Sequence, residues 1–325
     1  MAAKIIDGEA LAAEMNAQIS AQAKALADGG KPVRLVAVQV GENPASKIYT
    51  NMQARSCQAV GIGYQLLNIP AETTQQELLA TIRKLNEDQT VSAIILQMPL
   101  PPQIDARVVQ MTISPDKDVE GMNPVNMGRL FFGGGLVSPC TPRAAVELLN
   151  RTRSDLAGLE AVVVGHSEIV GKPIAMMLLQ SPNASPTVTV CHVATKDLAF
   201  HTRRADVLIV AAGVSQAKYL GWQRRRKAGE TLPPPKLAPL ISGDMIKSGA
   251  IVIDVAINRI PRGFDDAGNV LSNDKGKPDM MTVGDVDFEA ALQVASAITP
   301  VPGGVGPVTT AMLLRNALAC AGAFK

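Results

Sequence analysis

Residues 160–180, EAVVVGHSEIVGKPIAMMLLQ, have the pattern of a strand, a tight turn and a helix. A run of valines ends at Gly165, and apolar residues recur at helical spacing from Ile174 onward. In a doubly wound sheet, such a unit directs backbone amides and the positive end of a helix dipole at a phosphate group. The segment therefore indicates a dinucleotide site.

The turn alone leaves a second interpretation open. The dinucleotide fingerprint requires glycines at positions one, three and six, where this chain has Gly165, Ser167 and Val170. Gly171 stands one residue late, so a plain strand-to-helix turn fits equally well. A P-loop is excluded, because a proline follows Lys172 where that motif requires Ser or Thr.

Three other groups of residues could bind a ligand. Gln97 stands at the end of a predicted strand, where open α/β sheets bind ligands, and a loop-capping role is the alternative. Asp116, Asp118 and Glu120 could bind a cation, but a surface loop is the commoner explanation. Residues 303–306 are rich in glycine and precede a helix, which suits a close ligand, and a linker is the simpler explanation.

Alternating strands and helices must position these residues. The first half of the chain predicts strands at 33–40 and 91–97, with a helix at 44–60 after the first of them. Tyr49 and Gln53 are four residues apart and share one face of this helix. In the second half, strands are predicted at 187–192, 206–213 and 250–257.

Two segments are predicted to be loops outside any core. Residues 216–240 contain a basic run at 224–227 and three prolines at 233–235, a composition too rich in helix breakers for a core element. The basic run is most simply solvated, and a phosphate or polyanion contact is the alternative. Residues 262–281 contain Gly and Asp throughout and form the second predicted loop.

Length and composition set the class of protein. A chain of 325 residues exceeds what one hydrophobic core usually holds, so two domains are expected. Hydrophobic residues at 47% and charged residues at 18% predict globular domains, and aromatic residues at 3% are too few for base-stacking surfaces. The net charge of +2 argues against a general attraction to nucleic acid or membrane.

The cysteines and the N-terminus indicate the compartment. The four cysteines are widely separated, without C-x-x-C spacing or a histidine cluster, so neither a disulfide framework nor a metal site is expected. Charges at Lys4, Asp7 and Glu9 fall where a signal peptide requires an apolar core, and no apolar run is long enough to span a bilayer. The chain is therefore predicted to be cytoplasmic.

Six segments together are more specific than any one of them. They are NPASKIY at 43–49, QMPLPP at 97–102, KDVEG at 117–121, PCTPR at 139–143, GHSEIVGKP at 165–173 and TPVPGGVGPVT at 299–309. In this order the chain resembles the bifunctional methylenetetrahydrofolate dehydrogenase/methenyltetrahydrofolate cyclohydrolase family. The resemblance spans nearly the whole chain, except for the two predicted loops, which are longer than the family usually has.

The resemblance implies an α/β protein of two domains. Residues 1–140 plus 301–325 would form a folate-binding catalytic domain, and residues 141–300 a Rossmann-type doubly wound parallel sheet that binds a nicotinamide dinucleotide. It also implies a site in the cleft between the domains, and a homodimer. The implied substrate-site residues are Tyr49, Gln97, Glu120, Pro302, Gly303 and Gly306. The implied cofactor contacts are Thr141, Gly165, Ser167, Ile169, Gly213 and Thr309. The sequence adds His166, His192 and Lys196 as cofactor-binding candidates.

Two departures from the family pattern concern the chemistry. The family has a lysine four residues after its tyrosine, where this chain has Gln53. The family's KDVDG, whose second Asp holds the amino edge of the pterin, is KDVEG here, so Glu120 is the matching carboxylate with one more methylene.

NADP is predicted in preference to NAD. Family members that use NADP often carry Arg or Ser near the adenosine 2′-phosphate, and His166 and Val193 occupy those positions here. The stretch after TVTVCH lacks the acidic residue that would hold a free ribose hydroxyl, and Lys196 can supply a positive charge.

These residues predict a one-carbon folate oxidoreductase. The reaction is oxidation of 5,10-methylenetetrahydrofolate to 5,10-methenyltetrahydrofolate, with Tyr49, Gln53, Gln97 and Glu120 as the catalytic set. Cyclohydrolase activity is predicted to be weak or absent, because an amide cannot act as a base. The alternatives are a bifunctional dehydrogenase/cyclohydrolase, a dehydrogenase for a different pterin one-carbon carrier, and a binding protein without catalysis.

Overall fold

A computed structural model describes residues 2–41, 44–180 and 185–324, with the side chains of 44–49 outside the description. The chain divides into two compact units. The large-sheet unit comprises Met1–Glu9 and Ala144–Gly306, and the small-sheet unit comprises Ala10–Arg143 and Pro307–Lys325. The predicted architecture of two α/β domains is confirmed.

The helices and strands follow one another in α/β alternation over most of the chain. In chain order they are β1 (Lys4–Ile5), α1 (Gly8–Asp28), β2 (Arg34–Val40), α2 (Pro44–Ala59), β3 (Gly63–Ile69), α3 (Gln75–Glu87), β4 (Ala93–Leu96), α4 (Ala106–Thr112), α5 (Pro124–Phe131), α6 (Cys140–Thr152), β5 (Glu160–Val164), α7 (Gly171–Leu178), β6 (Thr187–Cys191), α8 (Leu198–Thr202), β7 (Val207–Val210), α9 (Val214–Lys227), β8 (Ile251–Asp254), β9 (Asn258–Pro261), β10 (Met280–Val283), α10 (Phe288–Val294), β11 (Ala297–Ile298) and α11 (Val305–Cys320).

The small-sheet unit is built on a parallel sheet with the strand order β3-β2-β4. The central strand RLVAVQV and its neighbour AIIL are almost entirely buried, as expected for parallel strands covered on both faces. Leu78 and Ile82 of α3 and Val109 of α4 pack into the same core. These contacts place the carboxyl ends of β2 and β4 side by side.

The large-sheet unit contains a six-stranded parallel sheet with the order β1-β11-β8-β7-β5-β6. From β5 the chain adds β6 on one side and then β7 on the other, so the direction of winding reverses at β5. In open α/β sheets a ligand binds at this reversal, outside the carboxyl ends of the strands. The predicted dinucleotide turn follows β5 and therefore lies at the expected position.

Met1–Glu9 group with the large-sheet unit, whereas the family resemblance implies that they belong to the folate-binding domain. Lys4 and Ile5 form β1, which pairs with β11 at the edge of the six-stranded sheet. Both side chains are exposed, so this two-residue strand has no hydrophobic alternation to predict it.

The two predicted loops are not outside a core, and this prediction is wrong. Residues 216–240 contain most of α9, whose Tyr219 and Trp222 are buried. Residues 262–281 lead into β10, which pairs with β9 as an antiparallel ribbon. Tyr219, Trp222 and Ile260 form a separate cluster against which Phe264 packs, with the Trp222 and Phe264 rings 5.1 Å apart.

The basic run at 224–227 forms the last turn of α9, where cations interact favourably with the helix dipole. Arg226 lies 5.0 Å from the centre of the Trp222 ring and donates to the carbonyl of Gly268. Arg225 pairs with Glu230. Two of the four cations are thus bound within the unit, which supports the structural explanation of the run. Among the described residues, no helix combines the length and apolarity needed to cross a membrane.

Candidate functional site

The small-sheet unit brings two predicted site residues together. Gln97 directly follows β4, and its backbone N–H donates to the carbonyl of Val38, 2.8 Å away, so the end of β2 fixes its position. Its side-chain Nε2 donates to Gln53 Oε1 at 2.8 Å. Gln97 is buried and Gln53 half-buried. Tyr49 lies on the same helix as Gln53, but its side chain is outside the described residues.

Tyr64 is a third member of this group that sequence reasoning did not find. It is the second residue of β3, and its hydroxyl donates to the same Gln53 Oε1 at 3.4 Å. Burial, and then the nearby Cys57, raise the pKa of Tyr64 to about 12, so its hydroxyl keeps its proton at neutral pH. No sequence motif marks this tyrosine, because only the packing of α2 against β3 brings it to Gln53.

Asp118 and Lys117 of the acidic segment KDVEG form hydrogen bonds within the protein. Asp118 is buried and accepts from the backbone N–H of Asn123 at 2.7 Å, from Asn126 Nδ2 at 3.1 Å and from Gln110 Nε2 at 3.1 Å. Lys117 donates to two carbonyl groups at the end of α3. A cation site shared by the three carboxylates is therefore not supported, because Asp118 is committed to neighbouring donors.

Glu120 is the carboxylate of this segment that remains for a ligand. Burial, and then the charge of Asp118, raise its pKa to about 7. Burial raises the pKa of the nearby Cys140 thiol well above its usual value, with a further contribution from Glu120. Glu120 therefore changes charge near neutrality, in surroundings that disfavour the ionised form.

Asn316 of α11 fixes the loops on both sides of Glu120. Its Nδ2 donates to the carbonyls of Val119 and Ser138, each at 2.9 Å. Gly121 has φ +69°, and a Cβ there would lie 2.5 Å from the carbonyl carbon of Ser138. The contact between these loops thus requires glycine at this position.

The glycine-rich segment before α11 is shaped by backbone contacts. Gly303 has φ +101°, and its carbonyl accepts from the N–H of Gly8 at 3.0 Å. A Cβ on Gly304 would lie 2.5 Å from the carbonyl oxygen of Pro300. Gly306 is different, because nothing lies within 4 Å of a Cβ placed there. Of the implied substrate residues here, Gly306 has open space, Gly303 has a constrained backbone and Pro302 is exposed.

The dinucleotide turn also depends on close backbone approach. A Cβ on Gly165 would collide with the carbonyl oxygen of Ala211 after β7, and a Cβ on Gly171 would collide with the carbonyl oxygen of Gly165. Gly171, which stands one residue after the last glycine position of the fingerprint, is therefore the glycine that allows α7 to begin next to the end of β5. Ser167 stabilises this turn, since its Oγ accepts from the N–H of Val170 at 3.1 Å.

A buried carboxylate holds the adjacent loop after β7. Asp285 accepts from the backbone N–H groups of Ala212 at 3.1 Å, Gly213 at 2.6 Å and Val214 at 3.2 Å. Its other partner is Asn258 Nδ2, at 2.9 Å. Gly213, an implied cofactor contact, thus uses its N–H inside the protein. Sequence reasoning missed Asp285, which lies more than 70 residues after the loop that it binds.

The ends of β5 and β6 bring two histidines together. The His166 and His192 rings stack with their centres 4.5 Å apart and an angle of 15° between their planes. His192 Nδ1 accepts from the N–H of Ala194 at 3.2 Å, so the neutral ring carries its proton on Nε2. Ile169 and Lys196 are exposed on the same unit.

The remaining implied cofactor contacts, Thr141 and Thr309, belong to the small-sheet unit. Thr141 lies in the first turn of α6, and Thr309 lies in α11. Both are partly buried. Their role as cofactor contacts stays a prediction.

We expect Gly171→Ala to weaken binding of a nicotinamide dinucleotide by more than tenfold and to lower the free energy of unfolding by about 1–3 kcal/mol, as an overpacked site does. The added methyl group would displace the turn from the end of β5. NADPH titration followed by nucleotide fluorescence, together with urea unfolding, measures both effects. Gly221→Ala is the control, because Gly221 lies within α9 with open space at its Cβ position. Equal behaviour of the two variants would contradict the role of the Gly165–Gly171 contact.

Two family models match the chain in sequence order. The model described as tetrahydrofolate dehydrogenase/cyclohydrolase, catalytic domain, matches residues 6–120. The model of the NAD(P)-binding domain of the same family matches residues 139–220 and 237–324. Residues 221–236, which include the arginine and proline runs, lie outside both matches.

Similar proteins match over almost the full chain. The bifunctional protein FolD of Geotalea daltonii is 45% identical over 316 residues, which cover 97% of this chain and 98% of that protein. The crystal structure of the bifunctional enzyme FolD of Campylobacter jejuni is similar at 39% identity and a TM-score of 0.82, covering 99% of each chain. The Trypanosoma brucei enzyme, solved with NADP cofactor and inhibitor, is 32% identical with a TM-score of 0.81, covering 99% of this chain and 98% of its own. The chain thus belongs to the tetrahydrofolate dehydrogenase/cyclohydrolase family and is an oxidoreductase.

Proposed function

We propose that this chain oxidises 5,10-methylenetetrahydrofolate to 5,10-methenyltetrahydrofolate with NADP, and that its hydrolysis of the methenyl product is weak or absent. The observation that carries the proposal is that the amide of Gln53 accepts hydrogen bonds from Gln97 and Tyr64. By the family resemblance, Gln53 stands where the family has its lysine. Bound NADP supplies the hydride acceptor. We assign the one-carbon folate to the small-sheet unit, with Tyr49, Gln53, Gln97 and Glu120 as the catalytic set.

Hydride transfer needs orientation more than proton chemistry. Departure of the hydride leaves a carbon cation that the lone pairs of two flanking nitrogens stabilise, so no protein base is required. The task of the protein is to hold folate and cofactor face to face. The Gln53–Gln97 pair, fixed at the end of β4, suits that positioning task.

Hydrolysis of the methenyl product makes a different demand. Water must be activated and protons moved, which calls for a group that titrates near neutrality. Gln53 can only donate and accept hydrogen bonds. Tyr64 is no substitute, because burial raises its pKa to about 12.

A bifunctional enzyme is the second candidate function. Two observations favour it. Its relatives include bifunctional FolD proteins, and the pKa of Glu120 is raised to about 7, which would suit a base. We favour the dehydrogenase alone, because Glu120 matches the carboxylate that holds the pterin, and a carboxylate paired with N–H donors is a strong anchor.

The fit of the large-sheet unit to NADP rests on its turn and its histidines. Gly165, Ser167 and Ile169 would contact the dinucleotide at the β5 turn, and Gly213 would do so after β7. His166 and His192 offer ring N–H donors at the carboxyl ends of β5 and β6, and Lys196 adds a positive charge beyond them. Such groups favour a 2′-phosphate over a free ribose hydroxyl.

We also propose that the chain forms a homodimer through the large-sheet unit. β6 is the longer of the two edge strands of the six-stranded sheet, and its Val190 is 40% exposed. An exposed edge strand presents unpaired backbone groups that a second copy can cover. The exposed edge at β6 supports the homodimer that the family resemblance implies.

Purified protein given methylenetetrahydrofolate and NADP is expected to accumulate the methenyl product, because no group at Gln53 activates water. Absorbance of the methenyl product measures both its formation and its decay. Adding protein to methenyltetrahydrofolate alone should leave the decay at the buffer rate. Hydrolysis as fast as hydride transfer would contradict the proposal.

Gln53→Lys should then introduce hydrolysis, because an amine can exchange protons near neutrality when its pKa is lowered. Gln58→Lys is the matched control, since Gln58 is exposed on the same helix. Absence of hydrolysis in both variants would remove Gln53 as the cause of its loss.

The folate KM is expected to fall as pH rises through about 7, because Glu120 is protonated below its raised pKa and charged above it. Only the carboxylate accepts from two pterin N–H donors. Glu120→Gln and Glu120→Ala should each raise the folate KM by about tenfold or more at pH 8, and should remove this pH dependence.

Glu120→Asp tests whether the longer side chain is matched to the site. Glu72→Gln, at an exposed position, serves as the control, and an unchanged KM in Glu120→Ala would assign Glu120 to a structural loop.

Catalytic efficiency is expected to be higher with NADP than with NAD, because His166, His192 and Lys196 offer donors and charge to a 2′-phosphate. His166→Ala should reduce the ratio of kcat/KM for the two cofactors by about threefold or more, the loss expected for one hydrogen bond. His201→Ala is the matched control, because His201 packs against Phe200 in α8. An equal or higher efficiency with NAD in the unaltered protein would overturn the preference.

A further inference from the structure

We propose that Tyr64 is a positioning residue that determines which end of the Gln53 amide is offered to the folate. Its hydroxyl acts on Gln53 and does not itself contact the substrate. The inference rests on the proposed function, because it assumes that Gln53 faces the one-carbon folate. It assigns a role to a residue that belongs to none of the six segments that carry the family resemblance.

Two side-chain amides that face each other can bond in either sense. Each has one oxygen that accepts and one NH₂ group that donates, so Gln97 can donate to Gln53 or accept from it. When Gln97 donates to Gln53, the NH₂ group of Gln53 remains available to a ligand. When Gln97 accepts from Gln53, the oxygen of Gln53 remains available instead. The distance of 2.8 Å between Gln97 and Gln53 suits both senses equally.

Tyr64 removes this ambiguity. Its hydroxyl lies 3.4 Å from Gln53 Oε1, on the same oxygen that accepts from Gln97. If the Gln53 amide were reversed, its NH₂ group would donate to the Tyr64 oxygen, and the hydroxyl proton would have to point away from the amide. The arrangement in the structure gives the Tyr64 proton an acceptor inside the protein, so the sense with the Gln53 oxygen toward Tyr64 is favoured.

The protonation state of Tyr64 supports this role at every working pH. Burial, followed by the neighbouring Cys57, raises the pKa of Tyr64 to about 12. Cys57 lies four residues after Gln53, so both side chains project from the same face of α2, toward Tyr64 on β3. The tyrosine therefore always presents a proton to Gln53 and never a phenolate.

The consequence for the site is a donor of fixed direction. With both lone pairs of Oε1 engaged, the NH₂ group of Gln53 is the part of the amide that remains for a ligand. It can bind only an atom with a lone pair, such as an oxygen or an unprotonated nitrogen of the folate. An amine at this position would also donate, so Gln53 keeps the donating character of the family's lysine without its titratable group.

A kinetic double-mutant cycle tests whether Tyr64 acts through Gln53. Tyr64→Phe removes the hydroxyl and keeps the ring, and Gln53→Met removes both ends of the amide at similar volume. We expect Tyr64→Phe to lower kcat/KM for methylenetetrahydrofolate by about 3- to 10-fold, the loss expected for one hydrogen bond, with the KM for NADP unchanged. In the Gln53→Met background, the same change should have less than about a twofold effect, because the group that Tyr64 positions is absent.

Tyr219→Phe is the matched control for loss of a tyrosine hydroxyl. Tyr219 is buried, and its oxygen accepts from Gln223 Nε2 at 2.7 Å in the large-sheet unit, away from the amide pair in sequence and in sheet. Its folate kinetics should match those of the unaltered protein. Thermal denaturation of all variants separates loss of folding from loss of positioning.

Gln53→Glu supplies a second test that leaves Tyr64 in place. At pH 8 a carboxylate accepts from both Gln97 and Tyr64 but has no N–H to offer, so this variant should be impaired at least as strongly as Gln53→Met. Activity close to that of the unaltered protein would overturn the inference, because the accepting end would then be sufficient. Equal effects of Tyr64→Phe in both backgrounds would also overturn it and leave the proposed function intact. No turnover by the unaltered protein would instead overturn the proposed function, and the inference with it.

Discussion

A buried polar side chain must find hydrogen-bond partners, and this requirement holds the loops of both units in place. In the small-sheet unit, Asp118 and Asn316 bind the segments around Glu120. In the large-sheet unit, Asp285 accepts from three consecutive N–H groups after β7, beside the dinucleotide turn. In each case a carboxylate or amide without these partners would be strongly destabilising, so the loop conformation is coupled to the stability of the core.

Close backbone approach is the second constraint on the candidate site. The turn after β5 packs against the loop after β7 only because Gly165 has no side chain, and α7 begins next to this turn only because Gly171 has none. In the segment before α11, Gly304 allows a similar close approach to the carbonyl oxygen of Pro300, whereas Gly303 is required by its φ of +101°. These glycines are therefore required by the protein itself, and Gly306, with open space around it, is the one most free to accept a ligand close to the backbone.

The family assignment and the chemistry of the site rest on different observations. Two family models and a relative at 45% identity show the family and the oxidoreductase class. The proposed loss of the hydrolytic step depends instead on a single position, Gln53, whose amide cannot act as a base. This amide is half-buried and held by two polar side chains, Gln97 and Tyr64, which suits the proposed binding role.

The sequence by itself determined the family, the α/β class, the existence of two domains and the strands that end at Gly165 and Gln97. It could do so because buried parallel strands produce apolar runs, and helix caps and glycine turns have strong local preferences. The sequence did not predict α9 within residues 216–240 or β10 at the end of residues 262–281. Both segments are rich in helix-breaking and charged residues, which favoured a prediction of loops. The two segments pack together through the contact between the Trp222 and Phe264 rings, which local composition cannot predict.

Only the tertiary structure decided which polar groups act together. Tyr64 reaches Gln53 because α2 packs on β3, Asp285 reaches the loop after β7 across more than 70 residues, and His166 stacks on His192 because β5 pairs with β6. The physical reason is the same in all three. The partners are distant along the chain, so their contact depends on strand order and packing, which local sequence patterns do not encode.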